Sequence, residues 1–142
     1  MKIALKPLLR YASLAAIALA GTLAHATEGC VSIEVQNVRQ HQGQLMLAAY
    51  ADAESFNQKA LATLKAPAGD ATTRLEMCGI GGDTLAITMF QDLDSDGKLG
   101  RNLMGIPLEP WGSSGTPGSF GPTWDTGKVN LDGSVIVIKL SS

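Results

Sequence analysis

The sequence predicts an all-β protein: a single β-sandwich, Ig-like or transthyretin-like, of about six to seven strands with one short helix and a long Gly/Pro-rich loop. Two observations lead to this fold class. Apolar and polar residues alternate along several short segments, and glycine-containing turns separate most of these segments. Alternation with a period of two places one side of a strand against a core and the other side in solvent. Such strands with little helix are typical of two packed sheets.

Residues 1–26 predict a signal peptide that is cleaved from the mature protein. Three basic residues precede an uncharged apolar stretch, residues 11–23, and a small-x-small site that ends at Ala26 follows it. These are the features of an exported precursor, and the apolar stretch is shorter than the ~20 residues that cross a bilayer. We therefore expect a periplasmic or secreted protein with one domain, residues 27–142, and no membrane span. A retained membrane anchor is the alternative.

Three segments in the first half of this domain have the alternation of strands. In the first of them Val31, Ile33 and Val35 alternate with polar residues. The second, residues 44–50, follows a turn-like segment, and the third, residues 72–77, alternates more weakly. All three predict strands with one buried face.

A short helix is predicted between the second and third strands. Phe56, Ala60, Leu61 and Leu64 recur at helical spacing, and Ser55 stands where it can cap the start of a helix. The segment is short and precedes a proline, so a folded loop is the alternative.

The second half of the domain predicts three further strands. Residues 84–90 form the strongest of them. The last two, residues 128–131 and 134–140, are separated only by Asp132-Gly133. Two strand-like segments joined by Asp-Gly predict a β-hairpin with a two-residue turn.

Residues 103–128 interrupt this pattern with a long loop that contains six glycines and four prolines. The loop also contains Trp111, Phe120 and Trp124. Disordered segments are poor in aromatic residues, so we expect an ordered loop that packs on its own side chains. A loop this long in a small domain is usually functional, and the three aromatic residues predict a surface for a ligand or a partner.

An Asp-rich loop follows the strand at residues 84–90. Carboxylates at alternate positions before a glycine allow a short loop to surround a hard cation with oxygen atoms. The segment lacks the bidentate glutamate that closes such loops, so we expect weak Ca²⁺ binding, with a Kd of about 0.1–1 mM. A plain turn without a metal is the alternative. The predicted ligands are the side chains of Asp92, Asp94, Asp96 and Asn102 and the carbonyl group of Lys98, with Glu109 or water completing the set.

Cysteine, histidine and charge restrict the remaining chemistry. In an exported protein Cys30 and Cys78, the only cysteines, predict one disulfide bond, worth about 4 kcal/mol in the chain-entropy model. His41 is the only histidine after residue 26, which excludes a multi-histidine zinc site and gives a catalytic triad no support. All 13 acidic residues but only 8 of the 11 basic residues lie after residue 26, so the domain has a formal charge of −5. We therefore expect no binding to nucleic acid.

Two neighbouring segments have the pattern of a known family. Residues 86–99 run from an apolar strand into the Asp-rich loop, and residues 105–112 read Gly-Ile-Pro-Leu-Glu-Pro-Trp-Gly. This arrangement resembles the DUF2141 family of exported bacterial proteins, and the resemblance covers most of residues 30–140, including Gly43-Gln44. It implies fold and export but no activity. Gly100 departs from the family, in which an acidic residue is usual there, and this departure lowers the expected affinity for a cation.

Two further departures from the family are Gln91, where histidine is common, and Trp111, where tyrosine or phenylalanine is usual. From all of these features we expect an exported, non-catalytic binding or accessory module that is a monomer. Its calcium loop would order an aromatic loop that binds a protein, a small molecule or a glycan. The alternatives are a structural envelope protein that docks on a protein partner and a metal-assisted hydrolase that uses the aspartates.

Overall fold

The computed structural model describes residues 29–141, so the predicted signal peptide and its cleavage site lie outside the described residues. No helix in this part of the chain is long and apolar enough to cross a membrane. The elements follow one another in the order β1 (Gly29–Gln36), β2 (Gln44–Tyr50), β3 (Ala62–Pro67), β4 (Thr72–Ile80), β5 (Thr84–Asp92), β6 (Trp111–Ser113), α1 (Trp124–Gly127), β7 (Lys128–Asn130) and β8 (Ile136–Lys139).

The strands form two sheets that enclose one core. The first sheet has three strands in the order β4-β1-β8, with β4 antiparallel and β8 parallel to β1. The second has the order β3-β2-β5-β6, and β7 pairs with the other end of the β5 edge. The predicted all-β sandwich is therefore confirmed, with eight strands among the described residues. An Ig-like or transthyretin-like topology stays a prediction.

The alternation in the sequence explains which face of each strand is buried. Ile33 and Val35 of β1 point into the space between the sheets, and Leu45 and Leu47 of β2 meet them from the second sheet. All four side chains are at most 3% exposed. Complete burial of an aliphatic side chain of this size contributes about 1.5–3 kcal/mol, so these inward positions hold the sandwich together.

The predicted disulfide bond is confirmed. Cys30 and Cys78 are direct partners in the antiparallel pairing of β1 with β4, and their Cα atoms lie 3.9 Å apart. The bond ties the start of the first strand to the end of the fourth, within one sheet.

Of the two alternatives predicted near Ser55, the short helix is wrong and the folded loop is confirmed, because residues 51–59 form turns and bends. Ser55 and Asp52 exchange hydrogen bonds in a turn, with the Ser55 N–H donating to Asp52 Oδ1 at 2.8 Å, and the chain then continues as β3. Leu64 lies directly opposite Leu47 of β2 and packs against the core. Phe56, which the helical spacing included, packs instead against the ring of Tyr50, 5.2 Å away. Pairing with β2 satisfies the backbone of this short segment and overrides its weak helical pattern.

The predicted hairpin around Asp132-Gly133 is also wrong. β7 pairs with β5 in the second sheet, whereas β8 pairs with β1 in the first. The turn at Gly133, whose φ is +85°, therefore carries the chain from one sheet to the other. The apolar residues before and after this turn pack into the same core from opposite sheets. This arrangement buries more apolar surface than a hairpin at the edge of one sheet would.

The predicted loop at residues 103–128 is ordered and contains both β6 and α1. Trp111 lies in β6 opposite Phe90, and its carbonyl oxygen accepts a hydrogen bond of 2.8 Å from the Ser141 N–H. The loop is thus attached to β5 on one side and to the end of the chain that follows β8 on the other.

Candidate cation-binding loop and apolar groove

Asp92 ends β5 on the outer face of the second sheet, yet its side chain is completely buried. Its Oδ2 atom accepts a hydrogen bond of 2.7 Å from Nε2 of Gln44, the residue opposite it on β2, and one of 3.0 Å from the Gly97 N–H. Its Oδ1 atom is buried and has no hydrogen-bond partner among the described residues. A buried carboxylate oxygen without a donor is costly and suits a cation as its missing partner.

Asp94 and Asp96 face Asp92 from the loop that follows. One carboxylate oxygen from each of the three aspartates lies within 4.8 Å of the other two. The Asp96 N–H donates to Asp94 Oδ1 at 3.2 Å, and the Lys98 N–H donates to Asp96 Oδ1 at 2.7 Å. The loop closes through left-handed backbone at Ser95 and Gly97, with φ of 62° and 79°. The structure therefore brings together the three aspartates that the sequence predicted, two of them exposed and one buried.

The pKa values of two of these carboxyl groups move in opposite directions. Burial acts to raise the pKa of Asp92, but hydrogen bonds from Gln44 and the Gly97 backbone outweigh it, and the pKa lies below its ordinary value. For Asp94 the backbone hydrogen bond from Asp96 acts to lower the pKa, but burial and the charges of Asp96 and Glu109 prevail and raise it. Mutual repulsion of this kind is what a bound divalent cation relieves.

Glu109 stabilises the Asp-rich loop from a position outside the aspartate cluster. Its side chain is 9% exposed, and its Oε1 accepts a hydrogen bond of 2.8 Å from the Leu93 N–H while its Oε2 accepts one of 2.9 Å from the Gly100 N–H. One carboxylate thus joins both ends of the Asp-rich loop. Glu109, which the sequence suggested as an additional ligand, has a structural role that is visible without a metal.

Asn102 lies beyond the three aspartates, in the next turn. Its Oδ1 accepts hydrogen bonds from the Met104 N–H at 2.9 Å and the Ile106 N–H at 3.0 Å. To bind a cation this oxygen would have to give up one of these bonds, so the structure offers Asn102 less support as a ligand than it offers the aspartates. Lys98 remains in the loop, where its carbonyl group stays a predicted ligand.

The turn between β1 and β2 supports the loop through residues that sequence reasoning did not assign to the site. Gln91 is completely buried, and its Nε2 donates to the carbonyl oxygens of Arg39 and Gln42, both at 2.7 Å. Gly43 lies so close that a Cβ atom there would stand 1.9 Å from the Asp92 carbonyl oxygen. The sequence indicated the Gly43-Gln44 pair only as the junction of a turn-like segment with a strand and as part of the family pattern. Its physical role is to approach and hold Asp92.

An apolar groove of about 1200 Å³ lies on the outer face of the second sheet. Its floor contains one row of directly opposed residues that crosses four strands: Lys65, Met46, Phe90 and Trp111. The segment that leaves the Asp-rich loop provides one wall through Leu99, Arg101 and residues 104–107, and residues 119–122 provide further lining. The cation-binding candidate and the groove are therefore consecutive along the chain.

Two of the three predicted aromatic residues belong to this groove. Trp111 lies on its floor, and Phe120, whose side chain is fully exposed, lies on its border. Trp124 does not line it; it begins α1, which packs near β5. Met104 and Ile106 add exposed apolar surface from the loop after the aspartates. Contiguous exposed apolar surface of this kind marks a site of interaction.

The groove differs in charge from the domain around it. Lys65 and Arg101 are the two charged residues of its lining, and no aspartate or glutamate occurs there. His41, by contrast, lies in the exposed turn before β2, with Nε2 3.6 Å from Asp70 Oδ1, and is not part of the aspartate cluster.

Comparison with known proteins gives one match. The model of a family described as "Uncharacterized protein conserved in bacteria (DUF2141)" matches residues 33–139. Neither the search of curated proteins nor the search of solved structures gives a match.

Proposed function

The chain belongs to the DUF2141 family of bacterial proteins, and we propose that it is an exported, non-catalytic binding module in which calcium at the Asp-rich loop orders the apolar groove. The buried Oδ1 atom of Asp92 is the strongest single support for a cation. It has no donor among the described residues, and its burial prevents water from solvating it freely. It belongs to a carboxylate that has one oxygen within 4.8 Å of carboxylate oxygens of Asp94 and Asp96.

A cation in the loop would act on the groove through the chain that joins them. The Asp-rich loop continues directly into residues 99–107, and Glu109 holds the two ends of the loop together. Neutralising the aspartates removes the repulsion that opposes this compact arrangement. The direction in which the groove wall, formed from residues 99–107, leaves the Asp-rich loop would then depend on calcium.

The disulfide bond supports export. Bonds of this kind persist in oxidising compartments, such as the periplasm and the exterior of the cell. If residues 1–26 are removed during export, the mature protein begins at Thr27. Intact-mass measurement on protein recovered after expression of the full-length chain tests this, and a retained N-terminus or a lipid on Cys30 would contradict it.

The groove favours ligand binding over catalysis, because its lining offers an apolar floor without a carboxylate or histidine that could transfer protons. One observation favours the second candidate, a structural envelope protein that docks on a protein partner. Leu103 and Leu108, on the same segment as the groove wall, are exposed but do not line the groove.

Calcium titration tests the proposed function. At ten to a hundred times Kd, calcium should stabilise the protein by roughly 1.4–2.7 kcal/mol, raise its Tm and change its tryptophan fluorescence. The double variant Asp94→Asn/Asp96→Asn should lose all three responses and stay folded. The matched control Asp70→Asn/Asp83→Asn removes the same charge elsewhere on the surface and should keep them. If calcium leaves the Tm and fluorescence of the wild type unchanged, the loop is a plain turn.

A further inference from the structure

We propose that the groove binds a long-chain carboxylate, a single alkyl chain with an anionic head group. This inference rests on the proposed binding function and names its ligand. The row from Lys65 to Trp111 crosses four neighbouring strands, which makes it about 14 Å long at the usual strand spacing. Three of its four positions, Met46, Phe90 and Trp111, are apolar and together span about 10 Å, and Lys65 ends the row.

The floor of the groove disfavours a peptide. It lies on the face of the sheet, where the backbone N–H and C=O groups of β2 and β5 are already paired with strands on both sides. Peptides that bind sheets do so at free edges, where main-chain groups satisfy one another. On this floor a peptide backbone would lose water without gaining partners, whereas an alkyl chain has no polar groups to satisfy.

The lining also disfavours a glycan. Each sugar presents several hydroxyl groups that need partners once they are buried, and carboxylates are strong acceptors for them. The lining contains no carboxylate, and Met46, Met104 and Ile106 contribute surface without a strong hydrogen-bond donor or acceptor. Methionine suits flexible alkyl chains because its own side chain is flexible and polarisable.

The two cations of the lining favour an anionic head group. Lys65 stands at one end of the apolar row. Arg101 lies in the wall, where its Nη1 donates to the Gly105 carbonyl oxygen at 2.8 Å and leaves further N–H groups for a ligand. In an acidic domain, a groove with two basic residues and no acidic residue in its lining is complementary to an apolar anion.

Calcium and this ligand would be coupled by charge. Asp92 follows Phe90 by two residues on the same face of β5, so the aspartate cluster begins about 7 Å from the apolar row. Without a cation the aspartates repel an approaching carboxylate, and a bound Ca²⁺ removes this repulsion. The affinity for an uncharged alkyl ligand would depend on calcium only through the ordering of the groove wall.

The test measures laurate and dodecanol binding to the Trp124→Phe variant, in which Trp111 is the remaining tryptophan and reports on the groove floor. Micromolar laurate is used because it stays dissolved beside millimolar calcium. We expect laurate to change the fluorescence and bind more tightly with calcium than with EDTA, and dodecanol to show a smaller calcium effect. Lys65→Gln/Arg101→Gln should weaken laurate binding about three- to tenfold and change dodecanol binding less than about twofold.

Two further variants separate the contributions. Phe120→Ser should weaken both ligands, whereas Lys139→Gln, on the exposed face of the other sheet, should change neither. Absence of laurate binding, equal loss of both ligands in Lys65→Gln/Arg101→Gln, or saturable binding of an apolar peptide or a glycan in place of laurate would each overturn the inference.

Failure of the long-chain carboxylate proposal and failure of the proposed calcium-dependent function give different results. If laurate does not bind but calcium still raises the Tm, only the ligand class is wrong. If laurate binds equally well in EDTA and calcium has no effect on the Tm, the ligand class stands and the calcium-ordered groove is wrong.

Discussion

Gly43→Ala provides a direct test of how the turn before β2 holds the Asp-rich loop. Gly43 has a φ of +61°, and a Cβ atom there would stand 1.9 Å from the Asp92 carbonyl oxygen. Gly133 has a φ of +85°, but a Cβ atom there would meet nothing within 4 Å. Alanine at the two positions therefore introduces similar backbone strain, and only the first adds a steric overlap beside the aspartates.

The expected magnitudes follow from these two contributions. Left-handed backbone costs a non-glycine residue roughly 1–2 kcal/mol, which is the whole effect expected at Gly133. At Gly43 the Asp92 carbonyl oxygen must also move, since real Cβ atoms essentially never approach within 3.0 Å. Forcing atoms into a packed region adds about 1–3 kcal/mol, so Gly43→Ala should lower the free energy of unfolding by about 2–5 kcal/mol.

Urea denaturation of both variants measures this difference, and calcium titration then asks whether the shift reaches the loop. Because Gln44 follows Gly43 and donates to Asp92 Oδ2, displacement of the turn should also weaken calcium binding in Gly43→Ala but not in Gly133→Ala. Equal losses of stability in the two variants would show that the close approach at Asp92 has no energetic consequence.

Three further predictions concern stability. Cys78→Ser should lower the free energy of unfolding by about 4 kcal/mol in the chain-entropy model, and thiol labelling of the native wild type should find no reactive cysteine. Glu109→Ala leaves two partly buried N–H groups without an acceptor and should cost roughly 2–4 kcal/mol in urea denaturation, whereas Glu54→Ala on the surface should cost less than about 0.5 kcal/mol. The backbone and side-chain hydrogen bonds from Ser55 lower the pKa of Asp52. The stabilising contribution of this carboxylate is therefore present above its pKa in the unfolded chain and is lost as the pH falls through its pKa in the folded protein. NMR titration of the Asp52 carboxyl group should give a midpoint below the ordinary value for aspartate.

The aspartate cluster shows how much of a site can be predicted from sequence. Asp92, Asp94 and Asp96 lie within five residues, so the local chain brings their carboxylates together once Ser95 and Gly97 adopt left-handed backbone. Gln44 contacts Asp92 from 48 residues away along the chain, and Glu109 contacts Leu93 and Gly100 of the same loop from 16 and 9 residues away. Their roles depend on the pairing of β2 with β5 and on the path of the later loop, which local spacing does not encode.

The aromatic residues show the opposite case. Trp111, Phe120 and Trp124 share one glycine-rich segment, which suggested one surface. The segment instead forms β6 beside β5 and then α1, so that Trp111 and Phe120 reach the groove and Trp124 does not. Met46 and Phe90 complete the groove from strands that are distant in sequence, because the opposed positions of a sheet are set by register.

Alternation with a period of two is a property of each segment alone, and it determined the all-β class, the inward faces of β1, β2 and β5, and the position of the Asp-rich loop at the end of a strand. The pairing of the two cysteines followed from their number and from the predicted export of the chain. The partner of each strand was decided only in the tertiary structure. Residues 62–67 became a strand against β2, and residues 136–139 joined the opposite sheet from residues 128–130, because those arrangements bury apolar side chains and satisfy backbone groups that neighbours in sequence could not.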